Sequence, residues 1–152
     1  MSKLMKSERR SRRAIWAAIW LQAFGYLIDV VWHGFVRPGI EPTTFGDMAR
    51  HLATVHLPLY IGCASVLMAT AFAVIRATAE SRPRLAMACA GAMLSAIGEG
   101  WHAYSHLHMD IHHAPLAGML SVIGFLGVVF AMWGTSPRTL PGDGRVSPHI
   151  GQ

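Results

Sequence analysis

Four long apolar stretches decide what this chain can fold into. They cover about residues 14–36, 57–76, 85–106 and 115–134, and each is near the roughly 20 residues that a helix needs to cross the hydrocarbon core of a bilayer. Only 14% of the 152 residues are charged and 53% are hydrophobic, which is unusual for a soluble domain of this length. The sequence therefore predicts an all-α integral membrane protein, a bundle of four transmembrane helices.

The basic residues are distributed unevenly along the chain. A pI near 9.9 could indicate nucleic-acid binding, yet eleven of the 13 Lys and Arg residues lie in residues 1–13, 76–84 and 135–152. This is the positive-inside distribution, so we expect these side chains to contact anionic lipid headgroups and not nucleic acid. It predicts a multi-pass protein of the cytoplasmic (inner) membrane, with a basic cytoplasmic segment at 1–13 and a disordered cytoplasmic tail at 135–152.

Polar residues near the helix ends follow a repeated pattern. Each half of the chain has an acidic residue, Asp29 or Glu99, shortly before a Trp-His pair. Each then continues with the pattern H-x4-H-x-P-L, which begins at His51 in the first half and at His108 in the second. The pattern predicts an internal repeat of two pseudo-symmetric helical hairpins, related by an axis along the membrane normal.

The predicted topology places eight of the nine histidines at the periplasmic or extracellular face. Asp29 and His33 are four residues apart, and Glu99, His102 and His106 are spaced by three and four, so each set shares one face of its helix. Helix bundles bring carboxylates and imidazoles to metal ions in this way, and an acid within a bilayer needs a partner. The predicted metal ligands are Asp29, His33, His51, His56, Glu99, His102, His106, His108 and His113, with His51 and His108 as supporting candidates.

The ligand types narrow the choice of metal. Mixed nitrogen and oxygen donors suit a transition metal ion such as iron, copper or zinc, and also manganese. Two nearby methionines, Met48 and Met109, would favour copper if their thioethers reach the site. Sequence alone does not select among these metals.

Two of the histidine spacings resemble those of a known enzyme class. The spacing of His51 and His56 resembles the first histidine box of membrane-bound fatty-acid desaturases and hydroxylases. The spacing of His108, His112 and His113 resembles the second. That resemblance implies a di-iron centre. It covers about a dozen residues of a much shorter chain that has no third box, and the boxes here are predicted at the outer face. We interpret the likeness as convergent ligand spacing.

Three functions remain open at this stage. The first is a metalloprotein with a mono- or dinuclear site, which as an enzyme would be an oxidoreductase or hydroxylase acting on a lipid or small apolar substrate. The second is a haem-binding electron-transfer protein with paired axial histidines. The third is a non-enzymatic metal-handling protein, or a small subunit of a larger membrane complex or homo-oligomer. No catalytic residue is assigned.

Overall fold

The computed structural model describes residues 3–40, 42–110 and 114–133, and these residues form helices and short connections with no strand. One π-helical turn ends the first apolar stretch, and another lies directly before the second. The elements in chain order are α1 (Lys3–Val31), a first π-helical turn (Trp32–Val36), α2 (Phe45–His51), a second π-helical turn (Leu52–His56), α3 (Leu57–Ile75), α4 (Arg82–Leu107) and α5 (Ala114–Trp133). The prediction of an all-helical fold is confirmed for the described residues.

Three helical stretches in the described part of the chain are long and apolar enough to cross a membrane. They are Ser7–Val36, Phe45–Ile75 and Ala114–Trp133. The fourth predicted span corresponds to α4, which packs against α3 and α5 but is not among these three. α4 carries Glu99, His102 and His106 within its last turns, and these polar side chains lower its mean hydropathy. Three of the four predicted spans thus have the expected character.

The observed helix bounds differ somewhat from the expected ones. α1 begins at Lys3, within the segment predicted as a separate basic terminus. The other three long helices begin and end within three residues of the predicted bounds. The predicted tail at 135–152 lies outside the described residues.

Glycines allow the helices to pack closely in two pairs, α4 with α5 and α1 with α3. α4 packs against α5 where a Cβ at Gly98 would collide with the Ser121 backbone nitrogen, and one at Gly124 would collide with the Ser95 backbone nitrogen. α1 packs against α3 in the same reciprocal way: Gly62 faces the Gln22 backbone, and Gly25 faces Leu59. Small residues permit such approaches between membrane helices.

The apolar core lies towards the start of α1 and the end of α3. Its buried members come from α1, α3, α4 and α5, so four helices share one core. They are Ile15, Ala18, Ile19, Val66, Ala73, Ala88, Ala92, Val128, Ala131 and Met132. Several buried polar residues lie towards the other end, among them His51, His56, Glu99 and His106.

We expect Gly98→Ala to destabilise the protein and Gly100→Ala to leave it unchanged or slightly more stable. The added methyl at Gly98 meets the backbone of α5, whereas nothing lies within 4 Å of a Cβ at Gly100. Overpacking of this kind costs about 1–3 kcal/mol. The thermal unfolding midpoint in detergent measures the effect, and equal midpoints for the two variants would contradict the close α4–α5 packing.

Candidate metal centre

Histidines from three parts of the chain meet at one end of the bundle. His33 lies in the first π-helical turn, His51 is the last residue of α2, and His56 is the last residue of the second π-helical turn. His102 and His106 lie in the last two turns of α4. π-Helical turns are rare and occur frequently at functional sites. Here two of them carry ligand candidates.

The five imidazoles form two groups that share His56. One group is His33, His51 and His56, and the other is His56, His102 and His106. Within each group, one ligand atom of every residue lies within 4.8 Å of the others. The Nε2 atoms of His102 and His106 are 3.1 Å apart, close to the about 3.3 Å that separates two nitrogens bound to one tetrahedral zinc ion. Each group could hold a metal ion.

Asp29 extends the first group. Its Oδ1 atom lies 3.6 Å from His33 Nε2 and 3.1 Å from His56 Nδ1. The i,i+4 spacing from α1 into the first π-helical turn brings Asp29 to His33, as predicted, and the second π-helical turn brings His56 to the same carboxylate oxygen. Asp29 therefore contacts two of the three imidazoles of the first group.

Glu99 and Tyr60 line the inner side of the cluster. Glu99 is only 4% exposed, and its polar neighbours include His102 and Ser121. The Tyr60 ring stacks on His56, with centroids 6.0 Å apart and planes at 18°, and it lies near both Asp29 and Glu99. Sequence reasoning missed Tyr60, because a tyrosine inside an apolar run carries no spacing signal.

Several buried polar atoms in this cluster lack hydrogen-bond partners among the described residues. They include Glu99 Oε2, Tyr60 Oη and His56 Nε2, and His56 is fully buried. Unsatisfied buried polar atoms are few in native proteins and each needs an explanation, such as a bound ion. Crowded imidazoles also repel one another when protonated, whereas a metal ion binds them in the neutral form. The donor set fits a cation.

A polar network lies directly beneath the cluster, inside the bundle. The Gln22 side-chain amide donates to Ser95 Oγ at 2.8 Å. Ser95 Oγ lies 3.1 Å from Ser121 Oγ, which in turn lies 2.6 Å from Tyr26 Oη. This network joins α1, α4 and α5 below Glu99. It too was missed, since the sequence does not reveal which polar residues of different helices meet.

The remaining predicted ligands lie elsewhere. The His108 ring stacks on Tyr104 with centroids 3.9 Å apart, and its Nδ1 atom lies 2.9 Å from the Tyr104 carbonyl oxygen, so His108 is outside both groups. His113 falls outside the described residues. His51, a supporting candidate in the sequence, packs edge-on against both His33 and His56. The structure thus brings together seven of the nine predicted ligands, if Glu99 is counted with the second group.

Comparison with known proteins gives no family for this chain. No protein-family model, curated protein or solved structure matches it. The cluster is therefore interpreted from its own geometry and chemistry.

We expect Ser95→Ala to lower the thermal unfolding midpoint more than Ser65→Ala. The first change removes the hydroxyl that accepts from Gln22 and contacts Ser121, and such hydrogen bonds between membrane helices contribute about 0.6 kcal/mol, at most about 1.7. Ser65 on α3 is half-buried and has no side-chain hydrogen bond within the described residues, so it is a matched control. Equal midpoints would show that the network does not hold the helices together.

Proposed function

We propose that this protein is a multi-pass membrane metalloprotein that binds transition metal ions at the histidine cluster. One observation carries the proposal: five imidazoles converge from three separate segments into two overlapping groups, and the Asp29 carboxylate contacts two of them. The unpartnered buried atoms of His56, Tyr60 and Glu99 support it. A cation would compensate for the burial of these polar groups.

The proposed membrane arrangement has α4 as a fourth span beside the three apolar stretches. α4 is 26 residues long, which is enough to cross a bilayer, and its small residues pack against α5. The distribution of Lys and Arg supports cytoplasmic termini and a metal centre at the opposite, outer face. Ions would then reach the centre from outside the inner membrane.

The shared position of His56 supports a dinuclear centre. Its Nδ1 atom lies 3.1 Å from Asp29, so this nitrogen suits a first ion together with Asp29, His33 and His51. The other nitrogen, Nε2, would then bind a second ion together with His102 and His106, with Glu99 nearby. Binding of both ions by the two nitrogens of His56 would require this imidazole to lose its N–H proton, which would pass to solvent.

The donors favour bare ions of iron, copper or zinc over haem. Nitrogen and carboxylate oxygen ligands suit all three metals. Haem would need a flat slot between two opposed histidines, whereas the ring centroids of neighbouring histidines in the cluster lie only 4.5–5.7 Å apart. With iron or copper bound, the centre would supply redox chemistry at the membrane edge, where a lipid or small apolar substrate is accessible. That version makes the protein an oxidoreductase.

We expect His56→Ala to remove most bound metal and His108→Ala to leave metal content unchanged. His56 belongs to both groups, whereas the His108 ring lies against Tyr104 outside them. Elemental analysis of the purified protein measures the effect, with wild type expected to hold between one and two equivalents. Less than about 0.2 equivalents of any transition metal in wild type would contradict the proposal, because structural metal sites of this type bind tightly.

We also expect chelation to lower the thermal unfolding midpoint of wild type and metal addition to restore it. A ligand that binds only the folded state, at 100 times its dissociation constant, stabilises that state by about 2.7 kcal/mol. The double variant His33→Ala/His102→Ala removes one ligand from each group and should show a much smaller shift. A chelator effect of equal size in both proteins would place the stabilising metal elsewhere.

A further inference from the structure

A cavity lies at the end of the bundle away from the histidines. It has a volume of about 520 Å³ and is formed between the start of α1 and the end of α3. Arg10 and Asp29 are 19 residues apart on α1, which corresponds to about 28 Å along the helix axis. The cavity is therefore separate from the metal centre, and its function does not depend on metal.

The lining of this cavity combines positive charge, hydroxyl groups and apolar surface. Ser7, Arg10 and Ser11 contribute from successive turns of α1, and Arg76 contributes from the residue that follows α3. The Arg76 guanidinium lies 3.9 Å from the centre of the Phe72 ring, within the range of a cation–π interaction. Two alanines and Phe72 form the apolar part of the lining.

Two guanidinium groups at one cavity form a favourable site for an anion. Among the ion pairs of the described residues, no carboxylate pairs with Arg10 or Arg76. Glu8, the nearest acid along α1, lies instead within hydrogen-bonding distance of the Thr78 and Ser81 hydroxyls. Arginine and serine hydroxyls are the usual side-chain donors to phosphate oxygens. The apolar lining below them suits the first carbons of an attached chain.

We propose that this cavity binds a phosphate ester, with Arg10 and Arg76 holding the phosphate and Ser7 and Ser11 donating hydrogen bonds to its oxygens. The phosphate group belongs either to an anionic phospholipid of the surrounding leaflet or to a soluble phosphate ester. Both would present the same oxygens to the same four side chains.

The test compares lipid binding of purified full-length proteins. Each protein is placed in nanodiscs of phosphatidylglycerol and phosphatidylcholine in equal amounts, then released into detergent, and the lipids that remain bound are identified by native mass spectrometry. Wild type should retain phosphatidylglycerol with roughly 25-fold preference, about fivefold for each arginine. Arg10→Gln/Arg76→Gln should lose this preference, and the matched control Arg37→Gln/Arg50→Gln should keep it.

A second arm separates the two sources of phosphate. Lipid-stripped wild type is titrated with inorganic phosphate and with glycerol phosphate by calorimetry, and binding that the double variant lacks would identify a soluble ester as the ligand. The proposal is overturned if the double variant keeps the wild-type lipid preference, or if wild type shows neither lipid preference nor phosphate binding. Unchanged helicity and metal content in the double variant serve as the folding control.

Discussion

The close approach of helices at four glycines positions the rest of the structure. On α1, Gly25 faces the Leu59 backbone, and Asp29 follows four residues later on nearly the same face of the helix, with His33 four residues further in the first π-helical turn. On α4, Gly98 faces the Ser121 backbone, and His102 and His106 follow at the same intervals. The helix face that meets the partner helix is therefore also the face that carries the ligands. A side chain at Gly25 would push α1 away from α3, and one at Gly98 would push α4 away from α5, so either change would displace the ligands that follow it.

His102 and His106 could be predicted from the sequence, because the regular helix α4 converts their spacing directly into position. His33 follows α1 in the first π-helical turn, and its spacing of four from Asp29 still brings the two side chains together. The contact between His51 and His56 could not be predicted from spacing alone. Their spacing of five is not the spacing of a single helical face, and they meet only because the second π-helical turn changes the register between α2 and α3. Glu99 was predicted from its cost in a membrane. The contacts of Tyr60 and Gln22 could not be predicted, since they involve residues on other helices.

The alignment of the predicted internal repeat also differs between sequence and structure. Matching the two Trp-His pairs sets His33 against His102, a separation of 69 residues. The reciprocal glycine contacts instead relate Gln22 and Gly25 to Ser95 and Gly98, a separation of 73 residues, which sets His33 against His106. Matching of residue types detects similar side chains, whereas helix packing depends on which backbones touch. The pseudo-symmetric hairpins stay a prediction, with the packing register as a second way to align them.

The second π-helical turn, Leu52–His56, has a consequence for how this chain tolerates insertions and deletions. A π-helical turn holds one residue more than the α-helical turn it replaces, so loss of one residue from this segment would allow a continuous α-helix from Phe45 to Ile75. Such a chain would keep every histidine, and His51 and His56 would then stand four residues apart, the spacing of one face of a regular α-helix. The π-helical turn thus lets two residues with a spacing of five share a face, and the segment could lose its extra residue without separating the two imidazoles.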